Sequence, residues 1–130
     1  MSREKIDRLR AAFDAFNGGD FDAALTFAHP DIEFVPPGGQ TSYKGIESFR
    51  AWMEPDAFEI QVIEPLDFIV AGNRILVRQR STARGAGSGI ELELSTWNVW
   101  TFDDEGLVTR VETYLEHEEA RAREAAGLTQ

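Results

Sequence analysis

The 130-residue chain predicts an α+β fold. Apolar residues recur at helical spacing as far as residue 53, and from residue 58 the period changes to two. Short turn sequences, AGN, ARGAGSG and DDEG, then join successive strands as hairpins. Helices first and strands afterwards describe a sheet that keeps its helices on one face, and hairpin connections make that sheet largely antiparallel.

Taken in order, Ser2 is suited to cap a first helix in which Ile6, Leu9, Phe13 and Phe16 form one apolar stripe. NGGD stops it, with Asn17 and Gly18 suited to a left-handed C-cap. Asp20 is placed to cap a second helix carrying Phe21, Ala24, Leu25 and Ala28, which HPD ends because Pro30 disfavours helical geometry at His29. A short strand is expected over Ile32 to Val35, followed by the loop PPGGQTSYKG. Ile46, Phe49, Trp52 and Met53 mark a third helix closed by Pro55. Four strands follow, Phe58 to Val70, Arg74 to Thr82, Glu91 to Phe102 and Leu107 to Leu115, and HEEARAREAAG reads as a short terminal helix with Gly127 just past it.

Alternation assigns the faces. In ELELSTWNVW, Leu92, Leu94, Thr96, Asn98 and Trp100 share one side, with Glu91, Glu93, Ser95, Trp97 and Val99 on the other. Ile75, Val77, Gln79 and Ser81 oppose Leu76, Arg78 and Arg80, so pairing arginines with glutamates across strands collects charge on the outer face. The inner face begins apolar and turns polar at Gln79, Ser81, Thr96, Asn98 and Thr113. Such groups need partners or space, and a mostly apolar pocket supplies both.

Bulk properties narrow the function. The length fits a single domain over residues 1–130. With no cysteine and only His29 and His117, a thiolate or histidine-rich metal site is not expected, and no cofactor is called for. The net charge of −10 argues against binding nucleic acid through its phosphates. No stretch approaches the roughly 20 apolar residues of a membrane span, so a cytoplasmic protein without membrane contact is expected. GAGSG lacks the strand-to-helix context of a phosphate loop and reads as a hairpin tip.

AFNGGDFDAALTFAHPDIEFVPPGG, YKGIESFRAW and TWNVWTFDDEGLVTRVETYLEHEEA together resemble the SnoaL-like families of the nuclear transport factor 2-like superfamily. The resemblance covers essentially the whole chain, most specifically NGGDFDAAL, HPDIEF and WTFDDEGLVTRVE. It implies a cone-shaped α+β barrel, a strongly curved sheet wrapped around three N-terminal helices with a cavity open at one end. Relatives include ketosteroid isomerase, polyketide cyclases, dehydratases, epoxide hydrolases and proteins without catalysis, so function has to come from the pocket.

Against ketosteroid isomerase, the resemblance places the oxyanion-hole tyrosine at Phe13, the catalytic base at Val35 and the second oxyanion donor at Asn98. The acidic base of the polyketide cyclases falls at Thr113, and a register slip of one residue would exchange it for Glu112. If Val35 faces inward, Glu33 does too, and its pKa should rise beside Trp100, as suits a general acid or base. Glu33 and Asn98 are therefore the candidate catalytic residues. Phe13, Val35, Tyr43, Trp52, Gln79, Trp100 and Thr113 are candidate substrate contacts. His29 reads as a hydrogen bonder beside Pro30, and His117 lies near the cone's rim or outside it. Trp97 and Tyr114, expected on the outer sheet face, would suit a homodimer interface.

Two functions remain open at this point. One is a cofactor-independent isomerase, cyclase, dehydratase or hydrolase moving protons on a small apolar carbonyl or ring substrate, with Glu33 as base and Asn98 as oxyanion donor. The other is a non-catalytic pocket for an apolar metabolite, or a protein-interaction domain using the outer face. A Glu33 carboxylate facing the cavity favours the first, and one locked onto an arginine favours the second.

Overall fold

α1, Ser2–Asn17, buries Leu9 and Phe13, two positions of its predicted stripe, against the sheet. The computed structural model of the chain describes residues 2–36, 42–53, 58–85, 87 and 89–128, without the side chains of 2, 52, 53 and 58–60. α1 closes on a Schellman motif. The Asp20 amide donates to Ala15 O (2.8 Å) and the Gly19 amide to Phe16 O (3.0 Å), with Gly19 at φ 82°. The left-handed residue is therefore Gly19, not Asn17 or Gly18 as expected. Asn17 serves differently, its Nδ2 donating to Ile63 O (2.9 Å) and its Oδ1 accepting from Ile63 N (2.8 Å).

The expected second helix is shortened to one turn, α2, Phe21–Ala24, capped by Asp20 Oδ1 on the Ala23 amide (3.1 Å). From Ala28 the chain is already in strand β1, Ala28–Val35. HPD is thus not a helix exit. Pairing of β1 with the last strand is interrupted between Ala28 and Glu33, and Pro30 sits in that irregular stretch, where its missing amide costs no ladder bond. His29 Nδ1 accepts from the Asp31 amide (2.9 Å), the local hydrogen-bonding role foreseen for it.

β2, Tyr43–Lys44, pairs antiparallel with β1 inside what the sequence presents as loop. α3, Ile46–Met53, follows Gly45, whose φ of 93° turns the chain into the helix. β3, Phe58–Ala71, β4, Arg74–Gly85, β5, Glu91–Phe102, and β6, Val108–Leu115, complete one six-stranded sheet in the order β2-β1-β6-β5-β4-β3. Among the described residues only β1 and β6 pair in parallel, and the other pairings are antiparallel. β4 continues to Gly85 rather than stopping at Thr82, so the β4–β5 hairpin is longer than its glycines suggest.

The two faces have separate cores. On the inner face, Ile32, Phe34, Ile75, Val77, Phe102, Val108 and Val111 pack with Leu9 and Phe13. On the outer face, a single 3₁₀ turn, Glu116–Glu118, leads into α4, Glu119–Ala125, which folds back over the sheet. Ala122 and Ala126, both fully buried, let it approach Leu76, Trp97 and Val99 closely. The expectation that Trp97 lies open for a partner is therefore corrected. It is 7% exposed, its Nε1 donates to Glu116 O (3.3 Å), and the Arg78 and Arg123 guanidinium groups stand 5.8 and 5.9 Å from its ring. Tyr114 is half-buried beside the same cluster. Charge pairing on this face is partial: Arg84 meets Glu91 at 3.5 Å, whereas Arg80 pairs with Glu64 on β3. Among the described residues no helix is long and apolar enough to cross a membrane.

Candidate functional site

Between α1, α2 and the concave sheet lies a cavity of about 340 Å³. β5 supplies its longest wall. Leu92, Leu94, Thr96, Asn98, Trp100 and Phe102 all line it, as strict alternation requires. Gln79, Ser81 and Ala83 extend the wall along β4, and Val111 and Thr113 along β6. Opposite them stand Leu9, Phe13 and Phe16 of α1, with Phe27, Ile32, Phe34 and Phe49 closing the side. Phe13 meets Trp100 edge to face, ring centroids 5.8 Å apart, which fixes both rings.

Of the predicted substrate contacts, the structure brings Phe13, Gln79, Trp100 and Thr113 together with Asn98 on this wall. Asn98 Nδ2 donates to Thr113 Oγ1 at 2.8 Å, so the two predicted residues act as a pair. Thr113 rather than Glu112 faces inward, and the register Asn98↔Thr113 requires it.

Three predicted residues are placed elsewhere. Ile32 and Phe34 are the inward residues of β1, at 1% and 3% exposure, so Glu33 and Val35 do not line the cavity. Glu33 instead stands beside Arg110 in the β1–β6 register, and Arg110 Nη1 donates to its Oε1 at 2.6 Å. Arg110 Nε also reaches Glu112 Oε1 at 3.2 Å, and the Tyr114 hydroxyl donates to Glu112 Oε2 at 2.9 Å. These four side chains form a hydrogen-bonded network outside the cavity. Within it, burial first, then the bond to Glu112 and its charge, push the Tyr114 phenol up to about 12. Tyr43 on β2 is 43% exposed and away from the cavity. Trp52 belongs to α3, but its side chain is outside the described residues.

The chemistry of the wall is narrow. Among the described lining residues the single ionisable group is Arg8, whose Nη1 donates to Gly106 O (2.9 Å) and whose guanidinium stacks 5.6 Å from the Phe27 ring. None of them is a carboxylate, an imidazole or a phenol. The other polar side chains of the wall are neutral. Gln79 Oε1, Thr96 Oγ1, Asn98 Oδ1 and Trp100 Nε1 are buried with no hydrogen-bond partner. Sequence reasoning placed Thr96 on the inner face without a role and missed Ile32 and Phe34. Their size beside the charge of Glu33 was the available signal. No group of three or more His, Asp or Glu residues among the described ones is arranged to hold a metal ion.

A family model described as SnoaL-like domain matches residues 9–111. The chain belongs to the SnoaL-like family. Solved structures share its fold. The crystal structure of TerC co-crystallised with polyporic acid is 23% identical, covering 90% of this chain and 95% of that one, at a TM-score of 0.75. SalBIII, an epoxide hydrolase/cyclase-like enzyme in pyran ring formation of the polyether salinomycin, is 17% identical over 88% and 92% of the two chains, TM-score 0.79. An NTF2-like protein from Burkholderia pseudomallei K96243 is 22% identical over 89% and 93% of the two chains, TM-score 0.76. At these identities the likeness is one of fold, the α+β cone of nuclear transport factor 2-like proteins. No curated protein matches the sequence.

Proposed function

We propose that this SnoaL-like protein binds a small, largely apolar, ring-containing molecule inside its cone without a carboxylate or imidazole on the described wall to act as acid or base. The supporting observation is the make-up of that wall: aromatic and aliphatic side chains with a few buried neutral polar groups, and no carboxylate among the described lining residues. Pockets of roughly 300–1,000 Å³ with that mixture suit small ligands, the polar groups fixing orientation. Glu33, held by Arg110 outside the cavity, takes no part in binding.

Trp100 in the wall supplies the readout. Titration with polyporic acid and with plain polycyclic aromatics, followed by tryptophan fluorescence, is expected to give saturable quenching. The Glu33→Gln variant is expected to bind within about twofold of wild type, since removing a group that touches no ligand costs well under the 1.4 kcal/mol of a tenfold change. Binding abolished by Glu33→Gln in a folded protein would contradict the reading.

A further inference from the structure

We infer that the ligand of this cavity is an organic anion: a ring compound bearing a carboxylate, with its rings among the aromatic side chains and its carboxylate against Arg8. The inference rests on the binding reading above and goes beyond it in naming the ligand's charged group.

Arg8 is the single ionisable residue among the described ones lining the cavity, and it is a cation in a chain of 23 acidic and 13 basic residues. With carboxylates in such excess, pairing within the chain is the outcome to expect. Yet Arg8 forms no ion pair with a carboxylate among the described residues. Glu4, one turn earlier on α1, has the spacing for such a pair and does not make it. Asp103, Asp104 and Glu105 precede Gly106 in the β5–β6 turn, and Asp103 Oδ1 is taken by the Glu105 and Leu107 amides, each at 2.9 Å.

The groups that hold the guanidinium are neutral. Nη1 donates to Gly106 O at 2.9 Å, and the ring of Phe27, itself in the wall, lies 5.6 Å away. Gly106, at φ 83°, leaves room for this approach, since a Cβ there would collide with Nη1. A carbonyl and a ring fix the group's position without cancelling its charge, and the guanidinium carries further N–H donors in the fork that suits a carboxylate. Arg8 is half-buried, so an anion on it keeps part of its hydration and escapes the full desolvation cost of a sealed ion pair. Gln79 Oε1, Thr96 Oγ1, Asn98 Oδ1 and Trp100 Nε1 each present less than 1 Å² of surface, so none of them takes this part.

Three probes on one skeleton test this by calorimetric titration at neutral pH: 2-naphthoate, its neutral amide 2-naphthamide, and the cation 2-naphthylmethylammonium. Wild type is expected to bind naphthoate at least about tenfold more tightly than naphthamide, a difference of 1.4 kcal/mol, with the ammonium weakest. Added salt should weaken naphthoate binding and leave naphthamide unchanged. In Arg8→Gln, shown to be folded by thermal unfolding, naphthamide affinity should persist and naphthoate fall to within about twofold of it, while Arg8→Lys keeps part of the preference. Naphthamide binding wild type as tightly as naphthoate, a preference that survives Arg8→Gln, or an equal loss of both probes in that variant would overturn the inference and leave the binding reading intact. No binding of any probe would overturn both.

Discussion

Glu33 and Ile32 exchange the sides of β1 that comparison with the catalytic base of ketosteroid isomerase assigns them, and the cause is local. In DIEFV, two large apolar side chains alternate with a charge and a smaller valine, and burying Ile32 and Phe34 outweighs the single residue that an alignment would turn inward. The remaining inner-face residues, Gln79, Asn98, Trp100 and Thr113, were legible because long strands fix alternation without reference to any relative. Glu33 in turn gains an ion pair whose members are 25% and 42% exposed, so Arg110→Ala is expected to cost no more than about 1 kcal/mol in urea unfolding. A loss several times larger would mean the network is a structural keystone. The Tyr114 phenol, raised from 10.0 to about 12, stabilises the fold fully below pH 10.0 and loses that contribution as pH climbs toward about 12. The stability difference between wild type and Tyr114→Phe should therefore shrink across that window, and a difference independent of pH would contradict the assignment. At the end of α1, Gly19→Ala forces a side chain into left-handed backbone with nothing crowding it, and should cost about 1–2 kcal/mol.

α4 changes what the outer face is for. Its existence and its end at Gly127 were readable from HEEARAREAAG, but its docking was not, because a seven-residue helix rich in charge gives little hint that two alanines form its contact stripe. Ala122 and Ala126 are four residues apart and both buried, so the helix sits close enough to seal Trp97. Ala122→Leu is expected to overpack this contact and lower stability by about 1–3 kcal/mol, whereas Ala120→Leu on the exposed side should stay within about 0.5 kcal/mol. Equal effects of the two substitutions in urea titrations would mean that α4 does not pack as described. α2 and β1 show the converse: a helix-like run from Phe21 to Ala28 was overridden after one turn, because residues from Ala28 onward are needed as the strand beside β6.

At the scale of the molecule, the fold builds a cone whose wide hairpin of β4 and β5 carries a wall that grades from aliphatic to polar, closed off by Phe13 and Phe16 of α1, Phe27 after α2 and Phe49 of α3. Glu33, Arg110 and Glu112 form their ion pairs away from that wall, and Arg8 is the single ionisable residue among the described ones lining it, which suits a largely apolar ligand. The central claim is that the cavity itself is the binding site. Its most direct measurement compares ligand affinity in wild type and in Ser81→Trp, which sets an indole into the cavity from a strand position that tolerates aromatic residues. With thermal unfolding showing both proteins folded, the account predicts that polycyclic ligands bind wild type and lose at least about a hundredfold in affinity to Ser81→Trp, a difference of about 2.7 kcal/mol. Undiminished binding to the filled cavity would contradict it.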